Sequence, residues 1–122
     1  MAAAGVKIIR NYSMIYALIN RTGIHRLELE EMKLADLQNR VGVEGENAYI
    51  EYVREQFSDP TIDLICDEEF LLKELPLTCI TDKRIKLCGQ IIAAACTPDG
   101  DTIGLTESQF QMVCNNLTIA IC

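Results

Sequence analysis

The last third of the sequence carries very few charged side chains. Between positions 87 and 122, the only Asp, Glu, Lys or Arg residues are Asp99, Asp101 and Glu107. A helix that packs on the core of a small domain still needs a charged outer face. Because this segment lacks one, we expect part of its apolar surface to be covered by a partner or by another copy of the chain.

The predicted interface lies within this weakly charged segment. Its residues would be shared between the core of the domain and the contact with the partner, because the centre of an interface is usually apolar. They are Ile91, Ile92, Phe110, Val113 and Leu117. We therefore predict a protein partner or a homo-oligomer.

The net charge of −7 is distributed unevenly along the chain. Four basic residues precede the first acidic residue, and they are the candidate nucleic-acid contacts: Lys7, Arg10, Arg21 and Arg26. Affinity for nucleic acid depends largely on Lys and Arg side chains that neutralise phosphates. The overall acidic charge therefore disfavours nucleic acid, and binding through this basic segment is kept as an alternative.

The length of 122 residues predicts a single globular domain over residues 1–122. No stretch approaches the roughly 18 apolar residues that a transmembrane helix needs. Lys7 and Arg10 interrupt the first apolar run, where a secretion signal needs an unbroken one. We expect an intracellular, cytoplasmic protein without a membrane partner, and a particle-bound assembly is the alternative.

Six cysteines are many for an intracellular protein, at positions 66, 79, 88, 96, 114 and 122. None belongs to a C-x-x-C pair, and their spacing matches no zinc motif. We expect free thiols that behave as small buried apolar groups. Disulfide bonds, within the chain or between subunits, are left open by the sequence.

Apolar periodicity predicts a mainly α fold, a compact multi-helix domain that is winged-helix-like and has a small β element. Helices are predicted within residues 6–23, 30–42, 46–57, 67–77, 82–96 and 106–117, and short extended segments over 24–29 and 61–66. A hairpin across Asn20 to Gly23 is the alternative at the first segment, and a terminal hairpin is the alternative at residues 110–121. An α+β domain is therefore the alternative fold.

Residues 34–43, LADLQNRVGV, have the pattern that ends the first helix of a helix-turn-helix. An apolar stripe is followed by a glycine for the turn and by a small apolar residue that packs under both helices: Leu34, Leu37, Val41, Gly42 and Val43. Residues 6–57 accordingly resemble a helix-turn-helix or winged-helix unit. The resemblance implies that the following segment is a recognition helix.

The charge of that segment is wrong for duplex DNA. Between residues 44 and 57, Arg54 is accompanied by four glutamates, Glu44, Glu46, Glu51 and Glu55. An acidic recognition helix is repelled by the phosphates that border the major groove. Helix-turn-helix units without a basic face serve as protein docking modules, and the resemblance implies that use here.

No motif in the sequence predicts catalysis, a metal or a cofactor. Residues 97–107, TPDGDTIGLTE, resemble a calcium loop but lack the acidic ligand at its first position, so we interpret them as a polar turn. His25 is the only histidine, and no nucleophile motif surrounds any cysteine. We expect no enzyme but a non-enzymatic protein-protein interaction or structural subunit. The alternatives are a nucleic-acid regulator and an acidic inhibitor that imitates nucleic acid.

Overall fold

The computed structural model describes residues 14–30, 32–43 and 48–120. These residues form nine β-strands and two α-helices. The strands are β1 (Met14–Asn20), β2 (Gly23–Leu29), β3 (Ile50–Val53), β4 (Ile62–Asp67), β5 (Leu77–Thr81), β6 (Lys86–Cys88), β7 (Ile91–Cys96), β8 (Thr102–Ile103) and β9 (Leu117–Ile119). The helices are α1 (Leu34–Val41) and α2 (Glu107–Asn115).

Six strands form the larger sheet, in the order β2-β1-β7-β4-β3, with β8 paired to β7. All its pairings are antiparallel. At its centre, β4 is buried along its whole length, and β7 along all but its last residue. Strands that are covered on both faces have nearly continuous apolar sequences. This burial explains why β4, with the sequence IDLICD, and β7, with the sequence IIAAAC, consist mainly of apolar residues.

Both faces of the larger sheet are covered by other elements of the same chain. On one face, α1 buries Leu37 and Val41 in a cluster with Ile65 of β4 and Ile92 of β7. On the other face lie α2 and the smaller sheet, which has the strand order β6-β5-β9. Alternate residues of β4 therefore enter different clusters, as a strand with two covered faces requires.

The first hairpin joins β1 and β2 through a short turn, with Asn20 opposite Gly23. The Thr22 amide donates a hydrogen bond to Asn20 Oδ1 at 3.0 Å, and Gly23 has a φ of 131°, which favours glycine. The alternative hairpin is thus confirmed. The predicted helix over 6–23 is wrong from Met14 onward, and residues 6–13 lie outside the described residues.

The mainly α fold predicted from periodicity is wrong. Among the described residues, 43% are in strands and 17% are in helices. Apolar residues spaced by four, such as Ile15 and Ile19, fit one face of a helix but also fit alternate positions of a strand. In β1 and β7 this ambiguity is resolved by pairing between distant strands, which a local pattern does not contain.

The winged-helix interpretation is also wrong within the described residues. The segment from Leu34 to Phe57 contains one helix, α1, and its next regular element is the strand β3 rather than a recognition helix. Gly42 follows α1 with an extended conformation, φ −75° and ψ 166°, and its amide donates to the carbonyl of Gln38 at 3.0 Å. Gly42 therefore ends α1, as expected, but among the described residues it does not lead into the second helix of a helix-turn-helix.

Three local predictions are confirmed. The alternating segment 61–66 corresponds to β4, the extended segment 24–29 to β2, and the segment after Thr106 to α2. The Thr106 hydroxyl accepts from the Gln109 amide at 3.1 Å, and Gln109 Oε1 accepts from the Thr106 amide at 2.8 Å. This reciprocal cap is the one that the sequence predicts. The helix predicted over 67–77 is instead a series of turns.

Gly104 allows the end of β8 to lie against the start of β1. A Cβ atom at this position would lie 2.5 Å from Met14 Cβ and 3.1 Å from the backbone nitrogen and oxygen of Ile15. We expect Gly104→Ala to lower the free energy of unfolding by about 1–3 kcal/mol, as overpacking does. Urea denaturation measures this, with Ser108→Ala on the exposed side of α2 as the control. An unchanged urea midpoint in Gly104→Ala would contradict the close approach.

Candidate functional site

The chain between β4 and β5 forms a compact series of turns that exposes two leucines. Leu71 and Leu72 are 77% and 81% exposed. The turns are closed by backbone hydrogen bonds, from the Lys73 amide to the Glu69 carbonyl and from the Leu75 amide to the Phe70 carbonyl, both at 3.0 Å. The two leucines are therefore exposed on an ordered segment. We call Leu71 and Leu72 the leucine tip.

A buried carboxylate holds the leucine tip to the sheet. Asp67, the last residue of β4, is 1% exposed. Its Oδ1 accepts a hydrogen bond from the Glu69 amide at 2.8 Å, and its Oδ2 accepts from Lys73 Nζ at 2.7 Å. Phe70 packs against the core cluster beneath the turns. One ion pair and one aromatic ring thus fix both sides of the leucine tip.

The surroundings of the leucine tip are acidic. Glu68 and Glu74 are exposed on either side of it in the chain, whereas the Lys73 ammonium is engaged by Asp67. Tyr49 is 69% exposed, and its carbonyl accepts a hydrogen bond from the Glu68 amide at 2.7 Å. The surface therefore combines large exposed apolar side chains with carboxylates at its border.

Most of the predicted interface residues lie in the core of the chain itself. Ile91, Ile92 and Val113 are fully buried, and Phe110 is 7% exposed, while Leu117 is half-buried. These side chains pack in the two core clusters on either face of the larger sheet. Burial within the domain accounts for the low charge of this segment. The most exposed large apolar side chains of the described residues are those of the leucine tip.

The predicted nucleic-acid contacts are not brought together in the described residues. Arg26 donates hydrogen bonds to Glu28 at 2.7 Å and to Glu107 at 2.6 Å, and its guanidinium lies 5.5 Å from the centre of the Phe110 ring. The hydrogen bond from Arg26 lowers the pKa of Glu107. Arg21 lies in the β1–β2 turn, and Lys7 and Arg10 lie outside the described residues.

The cysteines and the calcium-like segment do not form a metal site. The five cysteines in the described ranges are free thiols, as expected. Burial raises the pKa of Cys66 to about 12 and that of Cys79 to about 11, so both stay protonated at neutral pH. Glu107 of the calcium-like segment belongs to α2 and is bound by Arg26. The described residues contain no group of three or more His, Cys, Asp or Glu placed to hold a metal.

A second carboxylate of β4 is buried, and one of its oxygens has no hydrogen-bond partner. The side chain of Asp63 is 3% exposed, and its Oδ1 has no hydrogen-bond partner. Arg54 Nε lies 3.6 Å from that oxygen, beyond hydrogen-bond distance. Burial raises the pKa of Asp63, and the charge of Arg54 opposes this shift. Sequence analysis missed Asp63, although one acid between apolar residues of a strand is a visible signal.

The fold and these features define an antiparallel α+β domain with an exposed apolar turn and a buried carboxylate oxygen that accepts no hydrogen bond. The chain belongs to the family described as "Domain of unknown function (DUF3846)", whose model matches residues 15–118. No curated protein and no solved structure matches the chain. Neither helix in the described ranges is long and apolar enough to cross a membrane.

The ion pair beneath the leucine tip can be tested by removing its cation. Lys73→Met keeps most of the aliphatic chain and leaves the Asp67 carboxylate buried without its ammonium partner. Because Lys73 is 22% exposed, we expect a loss of about 2 kcal/mol, less than a fully buried pair would show. Thermal and urea unfolding measure the loss, and Lys83→Met at an exposed position is the control. Equal stability of the two variants would show that the pair does not hold the turns.

The raised pKa of Asp63 predicts a specific pH dependence. The folded chain retains this proton above pH 3.8, the ordinary pKa, where the unfolded chain has lost it, so stability falls as the pH rises through this range. Asp63→Asn cannot titrate, and we expect its stability relative to the original chain to increase as the pH rises above 3.8. The facing groups are Arg54 beside β3, Ala94 of β7 and the apolar side of α1. A difference that is constant with pH would contradict the prediction.

Proposed function

We propose that this chain is a non-enzymatic protein-binding domain that docks on a partner through the leucine tip, as an adaptor or subunit of a larger assembly. The observation that carries the proposal is the exposure of Leu71 and Leu72, at 77% and 81%, on an ordered turn. Adjacent exposed apolar side chains of this size are typical of interaction sites.

Binding through the leucine tip would be energetically favourable. Burying a leucine side chain that is exposed in the free protein contributes about 1.5–3 kcal/mol. The turns are already closed by hydrogen bonds and by the Asp67–Lys73 pair, so little conformational entropy is lost when a partner binds. The ordered turn therefore supports a role as an anchor that enters an apolar pocket.

The charge at the border of the leucine tip indicates the chemistry of the partner. Glu68 and Glu74 are exposed beside the leucines. In a symmetric dimer through this surface, the same acidic residues of both copies would approach one another, which is unfavourable. We therefore propose a different protein, with an apolar pocket that is bordered by Lys or Arg side chains.

We also propose that this interaction takes place inside the cell. The five cysteines that the structure describes are free thiols, and Cys66 and Cys79 lie in the core. Free thiols are typical of reducing compartments, whereas exported small domains usually form disulfides. A cytoplasmic location agrees with this thiol state.

The partner can be identified with a photo-crosslinking amino acid at position 72 in the cells that produce the chain. The control places the same group at Gln111, an exposed position on α2. We expect one partner to be crosslinked from position 72 and not from position 111. The purified partner must then bind the purified chain directly, because crosslinking in cells alone does not show a specific site.

Substitution of the leucines should weaken that binary complex without unfolding the domain. We expect Leu71→Ser and Leu72→Ser each to reduce affinity at least about tenfold, equivalent to about 1.4 kcal/mol. Unfolding free energies should stay within about 0.5 kcal/mol of the original chain, since both side chains are exposed. Ile85→Ser, at an exposed residue beside the smaller sheet, is the matched control. Affinity that is unaffected by both leucine substitutions would refute the proposal.

The charge of the partner surface is tested by salt and by charge reversal. We expect affinity to fall as ionic strength rises, and Glu68→Lys to weaken binding mainly by slowing association. Calorimetry and surface plasmon resonance measure these effects. Tighter binding by Glu68→Lys, or a partner that is a second copy of the chain, would contradict the proposed basic border.

A further inference from the structure

We propose that the cleft beside the turn between β5 and β6 binds a phosphorylated sugar, with Arg84 as the contact for the phosphate and Asp82 as the acceptor for the sugar hydroxyls. This inference is independent of the leucine tip and rests on different residues. It draws on the conformation of the turn, on its charge and on the residues that line the cleft.

The turn is ordered and holds Arg84 in a conformation that favours glycine. The Thr81 amide donates a hydrogen bond to the Ile85 carbonyl, and the Arg84 amide donates to the Thr81 carbonyl, both at 2.9 Å. Arg84 has a φ of 72°. In a hairpin loop of this kind the last position is typically glycine, because other residues are strained there. Strained residues cluster at functional sites, so an arginine at this position points to a role beyond the turn itself.

The cations of this turn form no ion pair within the described part of the chain. Lys83, Arg84 and Lys86 are exposed, and the ion pairs between described residues engage other cations. The whole chain has a net charge of −7, so these neighbouring cations form a basic surface on an acidic protein. A local surface of this kind attracts anions.

A polar cleft with a volume of about 420 Å³ lies beside the turn, and this volume is within the range of small-molecule sites. Its lining residues are Ile80, Thr81, Asp82, Arg84 and Thr118. The strained Arg84 is thus also part of the wall. Arginine side chains and hydroxyl groups are common contacts of phosphate, and Thr118 is exposed.

The carboxylate in the lining indicates which phosphate-bearing ligands fit. Asp82 and Arg84 both line the cleft, and no ion pair joins them, so each can contact a different part of one ligand. The guanidinium can donate two parallel hydrogen bonds to phosphate oxygens. The carboxylate repels a bare phosphate but can accept hydrogen bonds from sugar hydroxyls, as acidic residues do for ribose in dinucleotide-binding sites. A phosphorylated sugar offers both groups.

Ribose 5-phosphate is a suitable probe, and ribose and inorganic phosphate are analogues that each lack one of its two parts. We expect ribose 5-phosphate to bind the full chain saturably at one site, in the millimolar range or tighter, and each analogue to bind at least about tenfold more weakly. Calorimetry gives affinity and stoichiometry, and chemical-shift changes should centre on Asp82, Arg84 and Thr118. Adenosine monophosphate identifies the source: tighter binding than that of ribose 5-phosphate indicates a nucleotide, and equal or weaker binding indicates a free sugar phosphate.

Substitutions in the turn separate the two contacts. Arg84→Gln should weaken binding of ribose 5-phosphate at least about tenfold, whereas Arg21→Gln, which removes the same charge from the β1–β2 turn, should leave it within about twofold. Asp82→Ala should weaken binding of ribose 5-phosphate but not of inorganic phosphate, because it removes both the hydroxyl acceptor and a repulsive charge.

Arg84→Gly tests whether the arginine serves binding rather than folding. We expect this variant to lose binding, while its urea midpoint stays at or above that of the original chain, because glycine adopts the positive φ without strain. A merely structural role of Arg84 would instead lower the midpoint.

Four results would each overturn the inference. These are the absence of saturable binding of ribose 5-phosphate up to about 10 mM, equal affinity for ribose, equal affinity for inorganic phosphate, and unchanged affinity in Arg84→Gln. The first and the last would show that the turn is a solvated basic surface without a site. The other two would show that the cleft does not recognise both parts of the ligand.

Discussion

The burial of β4 and β7 on both faces is the constraint on which the rest of the structure depends. Two adjacent strands without a solvent-facing side must be covered twice, and the chain provides α1 on one face and α2 with the smaller sheet on the other. The weakly charged final third contributes to this cover and to the sheet itself. Its apolar character is therefore a requirement of a three-layer domain and needs no second molecule.

Strand β4 also carries two buried carboxylates. Asp63 and Asp67 are four residues apart on one strand, so they lie on the same face of the sheet. Asp67 is satisfied by an ammonium and a backbone amide, and it fixes the turns that present the leucine tip. Asp63 has the Arg54 guanidinium 3.6 Å from its Oδ1, and that oxygen accepts no hydrogen bond. The same residue type thus fixes the turns at the end of β4 and has an oxygen without a hydrogen bond near its start.

The parts of the fold that the sequence predicted correctly depend on local signals. The reciprocal cap at Thr106 and the alternation in residues 61–66 are contained within a few neighbouring residues, and α2 and β4 form where expected. The regions 14–20 and 91–96 are strands because they pair with each other, far apart in the chain. Apolar spacing in these regions is compatible with either structure, so periodicity alone favoured helices.

The functional surfaces were harder to predict for a related reason. Leu71 lies within the helix predicted over residues 67–77, but the chain after Asp67 forms turns instead, and the leucine is exposed. The fully buried Ile91, Ile92 and Val113 were assigned to an interface because the sequence does not show which layer covers which strand. The missing hydrogen bond to Asp63 Oδ1 depends on three-dimensional geometry, which residue spacing does not show.

The outer strand β2 has a consequence for the solution behaviour of the chain. Among the described residues β1 is its one partner in the larger sheet, and no described strand lies along its other side. His25, Arg26 and Glu28 are exposed along this strand, and Arg26 is tied to α2 through Glu107. Charged side chains on a free border discourage sheet extension from one molecule to the next. The domain can therefore expose the leucine tip while the charged side chains of β2 disfavour strand pairing between molecules.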